Sequence, residues 1–499
     1  MSIGQSGAVS LSPFKEHEKL DLNVELGGLE ARKKLERRLL RKLDLRMSIL
    51  VVMYILNYID RNNVSAARLR GLTTDLHLEG QQFATLLSIL LVGYIIMQIP
   101  SNMFLNYIGK PSLYLPAFMV VWGIISALTG ITTNFTGVLL TRFSLGFVEA
   151  AFFPGVVFLI SKWFVDYRYY QQMASNFIYR YKRTEIGLRL AILSCGSILS
   201  SAFGALIASG ILGGMNDDLG HASWRWLFYI EGALTVFVAI CAVFIVPDFP
   251  LTTRWLSDDE RRLALKRMEE DAGVGDETET EQGGRGHGLY LAVTDWKVWW
   301  IALATAGQMV SLSFTIYFPT LSATLGYNPT VTLLLVAPPF VIAAIVTLAL
   351  SMHSDKTQER FYHMSASYIV GIIGFIIALC TTNTVARYLS LFLMAQSNAG
   401  LMLLLAWISN TFPRPPSKRA VCFSLINVVA QLGGIAGSYV WPSNWGPTYR
   451  YSYGICLAAS STSIIMSWVF RQHLKTLNRK LEQEEQERGI KEQGFRYVL

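Results

Sequence analysis

Long stretches of this chain carry almost no charge, and each is close to the length that crosses a bilayer as a helix. About twenty apolar residues, rising about 1.5 Å each, span a hydrocarbon core about 30 Å thick. Such runs lie near 45–65, 82–105, 111–131, 135–160, 187–211 and 223–246, and again near 297–320, 330–351, 364–382, 386–411, 419–441 and 451–471. In lipid the backbone must bond to itself, so only helices or closed barrels cross, and these runs are too long for barrel strands. The expectation is an all-α membrane protein of twelve transmembrane helices. Composition agrees: 52% of residues are hydrophobic and 16% charged, against about 25% charged in soluble chains.

The basic residues orient these spans. Arg32, Lys33, Lys34, Arg37, Arg38, Arg41 and Lys42 precede the first. Alternate loops carry Lys162, Lys182 and Arg183, then Lys356 and Arg360, then Arg414, Lys418 and Arg419, while 132–134 and 321–329 have neither Lys nor Arg. Arg68, Arg70 and Arg387 are mild exceptions. The positive-inside rule places both termini in the cytoplasm, and an even number of spans agrees with that. The net charge of +8 therefore reads as loop charge on one side. No basic groove with interleaved aromatics points to nucleic acid.

One polar stretch divides the spans six and six. It begins with PDFP, continues through the charged helical segment LSDDERRLALKRMEED, and ends in the acidic, Gly-rich GVGDETETEQGGRGHG, which has the composition of a disordered segment. The expected organisation is a tail over 1–44, a six-helix bundle over 45–246, a cytoplasmic linker over 247–295, a second bundle over 296–473 and a tail over 474–499. Two halves around a central site are expected from such a division. The run RKLEQEEQERGIKEQ near the C-terminus reads as a solvated helix.

Charges inside spans are costly and are functional candidates by default. Asp60 and Arg61 lie in the first span, within LNYIDRNN; Arg142 and Glu149 lie in the fourth, within TRFSLGFVEAAFFPG. If the first span starts near Leu45, Arg61 stands about 24 Å along it; if the fourth starts near Phe135, Arg142 is about 10 Å along and Glu149 about 21 Å. Arg142 and Glu149 are two turns apart, on one helix face. One reading gives the guanidinium groups an anionic substrate, since an Arg fork grips a carboxylate bidentately, and gives Asp60 or Glu149 a proton. The other leaves Asp60 and Arg61 at a helix end facing water, with Arg142 and Glu149 as a structural pair.

Softer polar candidates are Tyr54, Asn57 and Tyr58 in the first span, and Tyr94 and Gln98 in the second. Gln308, Ser311 and Tyr317 follow in the seventh, and Gln396, Asn398, Trp407 and Asn410 in the tenth. Asn57, Tyr58, Gln308, Asn398 and Asn410 join the two arginines as expected substrate contacts. Each competes with an interhelical hydrogen bond. Gly433-xxx-Gly437 has the spacing of a close helix contact. The cysteines (195, 241, 380, 422, 456) all lie in apolar runs, as buried thiols do, and form no CxxC pair. No GxSxG, Walker or HExxH motif occurs, and the seven histidines lack metal-ligand spacing. No cofactor and no metal is expected, and an enzyme is the least favoured class.

At LNYIDRNN, RFSLGFVEAAFFPG, SKW with YKRTEIGLRLAIL, SKRAVCFSLINVVAQLGGIAGSYVWP and YGICLA, the chain resembles a major facilitator superfamily transporter. More narrowly it is similar to the fungal allantoate permease family, in the anion:cation symporter group, over about residues 40–475. The resemblance implies two six-helix bundles in alternating access, with the first, fourth, seventh and tenth spans lining the cavity. It implies small organic acids as substrates (allantoate, nicotinate, pantothenate, biotin), usually taken up with protons. It ties Arg142, Gly146 and Glu149 to coupling and Arg61 to substrate. The expectation is a monomeric, multi-pass symporter of the plasma membrane. An exporter of the same fold for a secondary metabolite, or a sensor without flux, are the alternatives.

One departure stands out. In the family SKWY leads almost directly into KRxExGLR, but here FVDYRYYQQMASNFIYR (164–180) intervenes. It reads as a retained short intron. The last base of the Trp163 codon and the first of Phe164 make a GT donor, an AGG codon for Arg180 would supply the AG acceptor, and splicing there would restore SKWYKRTEIGLR in frame. Sequencing the cDNA tests this: the expected transcript lacks these codons, and a mature transcript that keeps them overturns the reading.

Overall fold

The computed structural model describes residues 28–163, 184–215, 218–249, 252–253, 255–272, 287–412, 416–487 and 496–499. The stretch 164–180 and residues 273–286 of the acidic run lie outside the described residues. Every regular element described is a helix. The first six spans are α1 (Leu29–Ala67), α2 (Gln82–Ile108), α3 (Pro111–Thr129), α4 and α5 together (Phe135–Glu149, Phe152–Trp163), α6 (Thr184–Gly214) and α7 (Ser223–Ile245). The linker holds α8 (Asp258–Ala272). The last six are α9 with α10 (Trp296–Ser311, Phe314–Ala323), α11 (Pro329–Thr357), α12 (Phe361–Cys380), α13 with α14 (Thr384–Ala395, Ser397–Thr411), α15 (Pro416–Ser438) and α16 (Arg450–Glu487). Among the described residues ten helical stretches are long and apolar enough to cross a membrane by composition alone. The two others, α1 and α2, complete the twelve.

The fourth, seventh and tenth spans are each interrupted. Pro154 explains the first break. It has no N–H to donate, and its ring opposes the carbonyl of Ala150, four residues back, where α4 ends. The breaks at Leu312–Ser313 and at Gln396 contain neither proline nor glycine, and nothing in the local sequence explains them. α1 begins at Leu29, well before the apolar run, and α16 continues to Glu487, so both polar flanks extend spans as helix.

Glycines set the tightest contacts. A Cβ on Gly146 of α4 would lie 1.9 Å from the carbonyl oxygen of Leu90 in α2, and one on Gly433 of α15 would lie 2.2 Å from that of Ala306 in α9. A Cβ on Gly232 of α7 would lie 2.7 Å from the Gly123 carbonyl of α3. In lipid no hydrophobic force drives helices together, so close backbone approach supplies the packing. The cysteines differ from expectation at one end: Cys380, the last residue of α12, is exposed and Cys241 half-buried, while Cys195, Cys422 and Cys456 are buried.

The two sets of six meet at the end where α1 finishes. Arg68 donates to Ser443 (2.9 Å) and Arg70 to Thr330 (3.0 Å). Ser209 donates to the Thr330 carbonyl (3.0 Å), and the Tyr439 hydroxyl lies 3.1 and 3.2 Å from Thr85 and Ser88. At the opposite end α8 is pinned to α1. The buried Glu260 carboxylate accepts from Lys42 at 2.6 Å. Ser257 N–H donates to it as well (3.1 Å), and Glu260 N–H reaches back to the Ser257 hydroxyl (3.3 Å), a capping box on α8.

Two expectations follow. Gly146→Val drives a side chain into the Leu90 carbonyl, so folded, monodisperse protein on size exclusion should fall sharply, consistent with overpacking costs of about 1–3 kcal/mol or more; an unchanged yield defeats this packing role. Burial pushes the Glu260 carboxyl up, but the bonds from Lys42 and from the Ser257 N–H outweigh it and leave it lowered from 4.5. Its stabilisation is therefore complete above the ordinary value and is lost as pH falls through the lowered one. Glu260→Gln should loosen α8 by about 1 kcal/mol at neutral pH, read by hydrogen exchange corrected for intrinsic rates, and should erase that acid dependence.

Candidate functional site

The geometry of the four charges follows from helix direction. Side chains on a helix lean toward its N-terminus. On α1 this carries the Arg61 guanidinium back down the helix. On the antiparallel α4 it carries Arg142 the opposite way. The two guanidinium groups therefore separate, and each finds a different partner. Arg61 Nε donates to Glu149 Oε2 at 2.5 Å. Arg142 donates through Nη1 to the main-chain carbonyl of Asp60 (3.2 Å) and through Nη2 to that of Arg61 (2.7 Å). The ion pair across the helices is thus Arg61–Glu149, and Arg142 binds backbone instead.

Asp60 does not face water at a helix end. It is fully buried, seven residues before the end of α1. Oδ1 accepts from Ser126 of α3 at 2.8 Å, and Oδ2 accepts from Thr235 of α7 at 3.1 Å. Glu149 is fully buried, and its Oε1 has no hydrogen-bond partner among the described residues. Arg61 is different: 15% of its side chain remains accessible. Its guanidinium carbon stands 5.1 Å from the centre of the Tyr58 ring and 4.8 Å from that of Tyr94, within cation–π range. Asn57 lies beside Glu149. The Tyr58 hydroxyl bonds to that of Tyr54 (3.3 Å), whose ring stacks on Phe152 and Phe153 at the α4–α5 break. Asn57, Tyr58, Asp60, Arg61, Arg142 and Glu149 therefore form one constellation.

The candidates of the last six spans lie elsewhere. Gln308 is buried and its Oε1 accepts from Ser460 of α16 (3.2 Å). Asn398 donates to the Ala395 carbonyl of its own span (2.9 Å). The Asn410 side chain lies outside the described residues. Tyr317 donates to the Ser438 carbonyl (2.8 Å) and Trp407 to that of Val498 (2.9 Å). Among the described residues no three His, Cys, Asp or Glu side chains group as a metal site requires.

One group escapes the sequence-derived set. Glu231 of α7 is 1% exposed and stands in an otherwise uncharged run, LFYIEGALT. The rule that selects Asp60 and Glu149 selects it equally.

Comparison with known proteins places this arrangement. The family model described as Major Facilitator Superfamily matches residues 50–438. The chain is 31% identical to the MFS-type transporter cnsO of Penicillium expansum over 439 residues, covering 85% of this chain and 80% of the relative. It is 29% identical to the "Putative tartrate transporter" of Agrobacterium vitis, covering 81% and 87%. Among solved structures, the D-xylose–proton symporter aligns with a TM-score of 0.63 at 15% identity over 86% of this chain and 98% of that one. An inward-facing bacterial homologue of the lysosomal transporter Spinster aligns at 0.61 and 16%, covering 86% and 95%. At these identities the two structures speak for the fold alone. With its family match running through the arginine-bearing first and fourth spans, the chain belongs to the Major Facilitator Superfamily of membrane transporters.

Proposed function

We propose that the protein is a proton-coupled symporter for a small organic anion, of the allantoate permease type within the anion:cation symporter group. The observation that carries this reading is the buried Arg61–Glu149 ion pair, in which only the arginine stays partly accessible. A carboxylate substrate and Glu149 compete for one guanidinium. When Glu149 takes a proton it loses its charge and most of its hold on Arg61, which then binds the anion through its bidentate fork. Release reverses the order. Proton and anion thus move together without a separate gate. Arg142 keeps α1 and α4 in register while this exchange occurs, and Asp60 is the second acid available for a proton. The relative named for tartrate, a dicarboxylate, agrees with an anionic substrate class. In this reading the protein works as a monomer in the plasma membrane, with both termini cytoplasmic and substrate taken up from outside.

Proteoliposome flux tests it, with nicotinate, pantothenate, biotin, allantoate and tartrate as the panel. At least one should accumulate when the outside is acid, and accumulation should collapse when a protonophore removes the gradient. Arg61→Ala and Arg142→Ala should each lower uptake on the order of 100-fold, the worth of about 3 kcal/mol of charge-assisted bonding. Glu149→Gln should keep exchange of labelled for unlabelled anion but lose its acid stimulation. Acid-stimulated uptake that survives in Glu149→Gln overturns the coupling role, and full uptake by Arg61→Ala overturns the anion site.

A further inference from the structure

Between α1, α3 and α7, away from the Arg61–Glu149 pair, stands a second acidic group. Glu231 is 1% exposed, and neither carboxylate oxygen has a hydrogen-bond partner among the described residues. Its position is fixed by its neighbour: Gly232 is pressed on Gly123 of α3, so the residue before it cannot swing out to lipid without parting the two helices. One turn further along α7, Thr235 donates to Asp60 (3.1 Å). Glu231 and Thr235 are four apart and share a face, so Glu231 lies on the side of α7 that meets Asp60.

Among the described residues no cation bonds to Glu231, and Arg68 and Arg70, in the turn that packs on α7, donate to Ser443 and Thr330. Arg142 is spent on the carbonyls of Asp60 and Arg61. Arg61 is spent on Glu149. Arg225, on α7 itself, donates to the carbonyls of Gly130 and Thr132 (2.7 and 2.8 Å). α3 presents Ser126, already donated to Asp60. α6 has no charged residue over 192–215. α1 presents Asp60 and Asn63, and the buried Asn63 amide lies beside Glu231. An unpaired carboxylate in such a place costs several kcal/mol, which a bound proton removes.

Asn63 also touches an opening. With Asn62, Ser65, Ser200 and Ser201 it forms the polar side of a pocket between the two halves, next to the closed end, whose other wall is apolar (Ile316, Leu333, Val336, Phe340) apart from Thr315 of α10. Polar groups of this kind can hold a water that hands on a proton. Asn63 thus stands between that pocket on one side and Glu231 with Asp60 on the other.

We infer that Glu231 and Asp60 form a second proton-holding carboxyl pair of this transporter, loaded through the pocket that Asn63 lines and distinct from the Arg61–Glu149 pair. Glu231 bears a proton in this closed-end conformation. When the halves part at that end, the pocket widens to solvent and the proton can leave. Its role in driving transport rests on the symport reading above; its proton occupancy does not.

Infrared spectroscopy of the full-length protein in lipid, without any solute, tests the occupancy. The wild type should show the C=O stretch of protonated carboxyl groups at neutral pH. Glu231→Gln should lose part of that band, and Asp60→Asn should shift the alkaline titration of what remains. Glu231→Asp should restore a carboxyl band at an altered frequency, which guards against a merely misfolded glutamine variant. A band of full intensity in Glu231→Gln at neutral pH overturns the proposal, because Glu231 would then be ionised. So would an Asp60→Asn variant whose remaining band titrates as in the wild type. A failed uptake panel would sink the symport reading and leave this result standing.

Discussion

A guanidinium in the middle of a membrane protein must place its donors, and Arg142 places two of them on main-chain carbonyls of the neighbouring helix. Those carbonyls belong to Asp60 and Arg61, the two charged residues of the first span. The bond therefore fixes the height of α4 against α1 at the level of the Arg61–Glu149 pair. It also takes Arg142 out of competition for Glu149. Arg61, leaning toward the start of its own helix, is left as that carboxylate's partner. Gly146, between Arg142 and Glu149 on the same face, lets α2 press close on α4, and the aromatic rings of Tyr58 and Tyr94 close over Arg61. Were α4 displaced by a turn, each of these contacts would be lost together.

Among the described residues the first six spans hold three fully buried acids, and they are served in three ways. Glu149 has a cation, Asp60 has two hydroxyl donors, and Glu231 has neither. In the symport proposed above such a gradation has a use, because an acid held too firmly in one charge state moves no proton. The cost of burying them is thus met differently for each, by a guanidinium for Glu149 and by two hydroxyl groups for Asp60.

The last six spans have no comparable charge at their centre. Gln308 turns to α16 and Asn398 to its own backbone, so their polar groups serve packing in this conformation. Their contribution to closure lies at the end, where Ser443, Thr330 and Tyr439 receive contacts from the first six. These are hydrogen bonds to hydroxyl groups, each worth about 1–3 kcal/mol. A closure built from a few of them can open and reform at modest cost.

The amino-acid sequence alone determined the solvent and therefore the fold. Uncharged runs of bilayer length allow only helices, and the polar stretch around 247–295 divides the twelve spans six and six. It also marked Asp60, Arg61, Arg142 and Glu149, because a charge in an apolar run is conspicuous whatever its partners; Glu231 carried the same mark. The tertiary structure alone decided which charge meets which. Spacing puts Arg142 and Glu149 on one face, yet the antiparallel lean of side chains on α1 and α4 sends Arg142 to backbone and Arg61 to Glu149. It alone separated Gln308 and Asn398 from that constellation, since rotation of a helix about its axis is set by close contacts such as Gly433 on Ala306. Depth and periodicity are local quantities that a sequence states; pairing depends on neighbours far apart in the chain, and only packing brings them together.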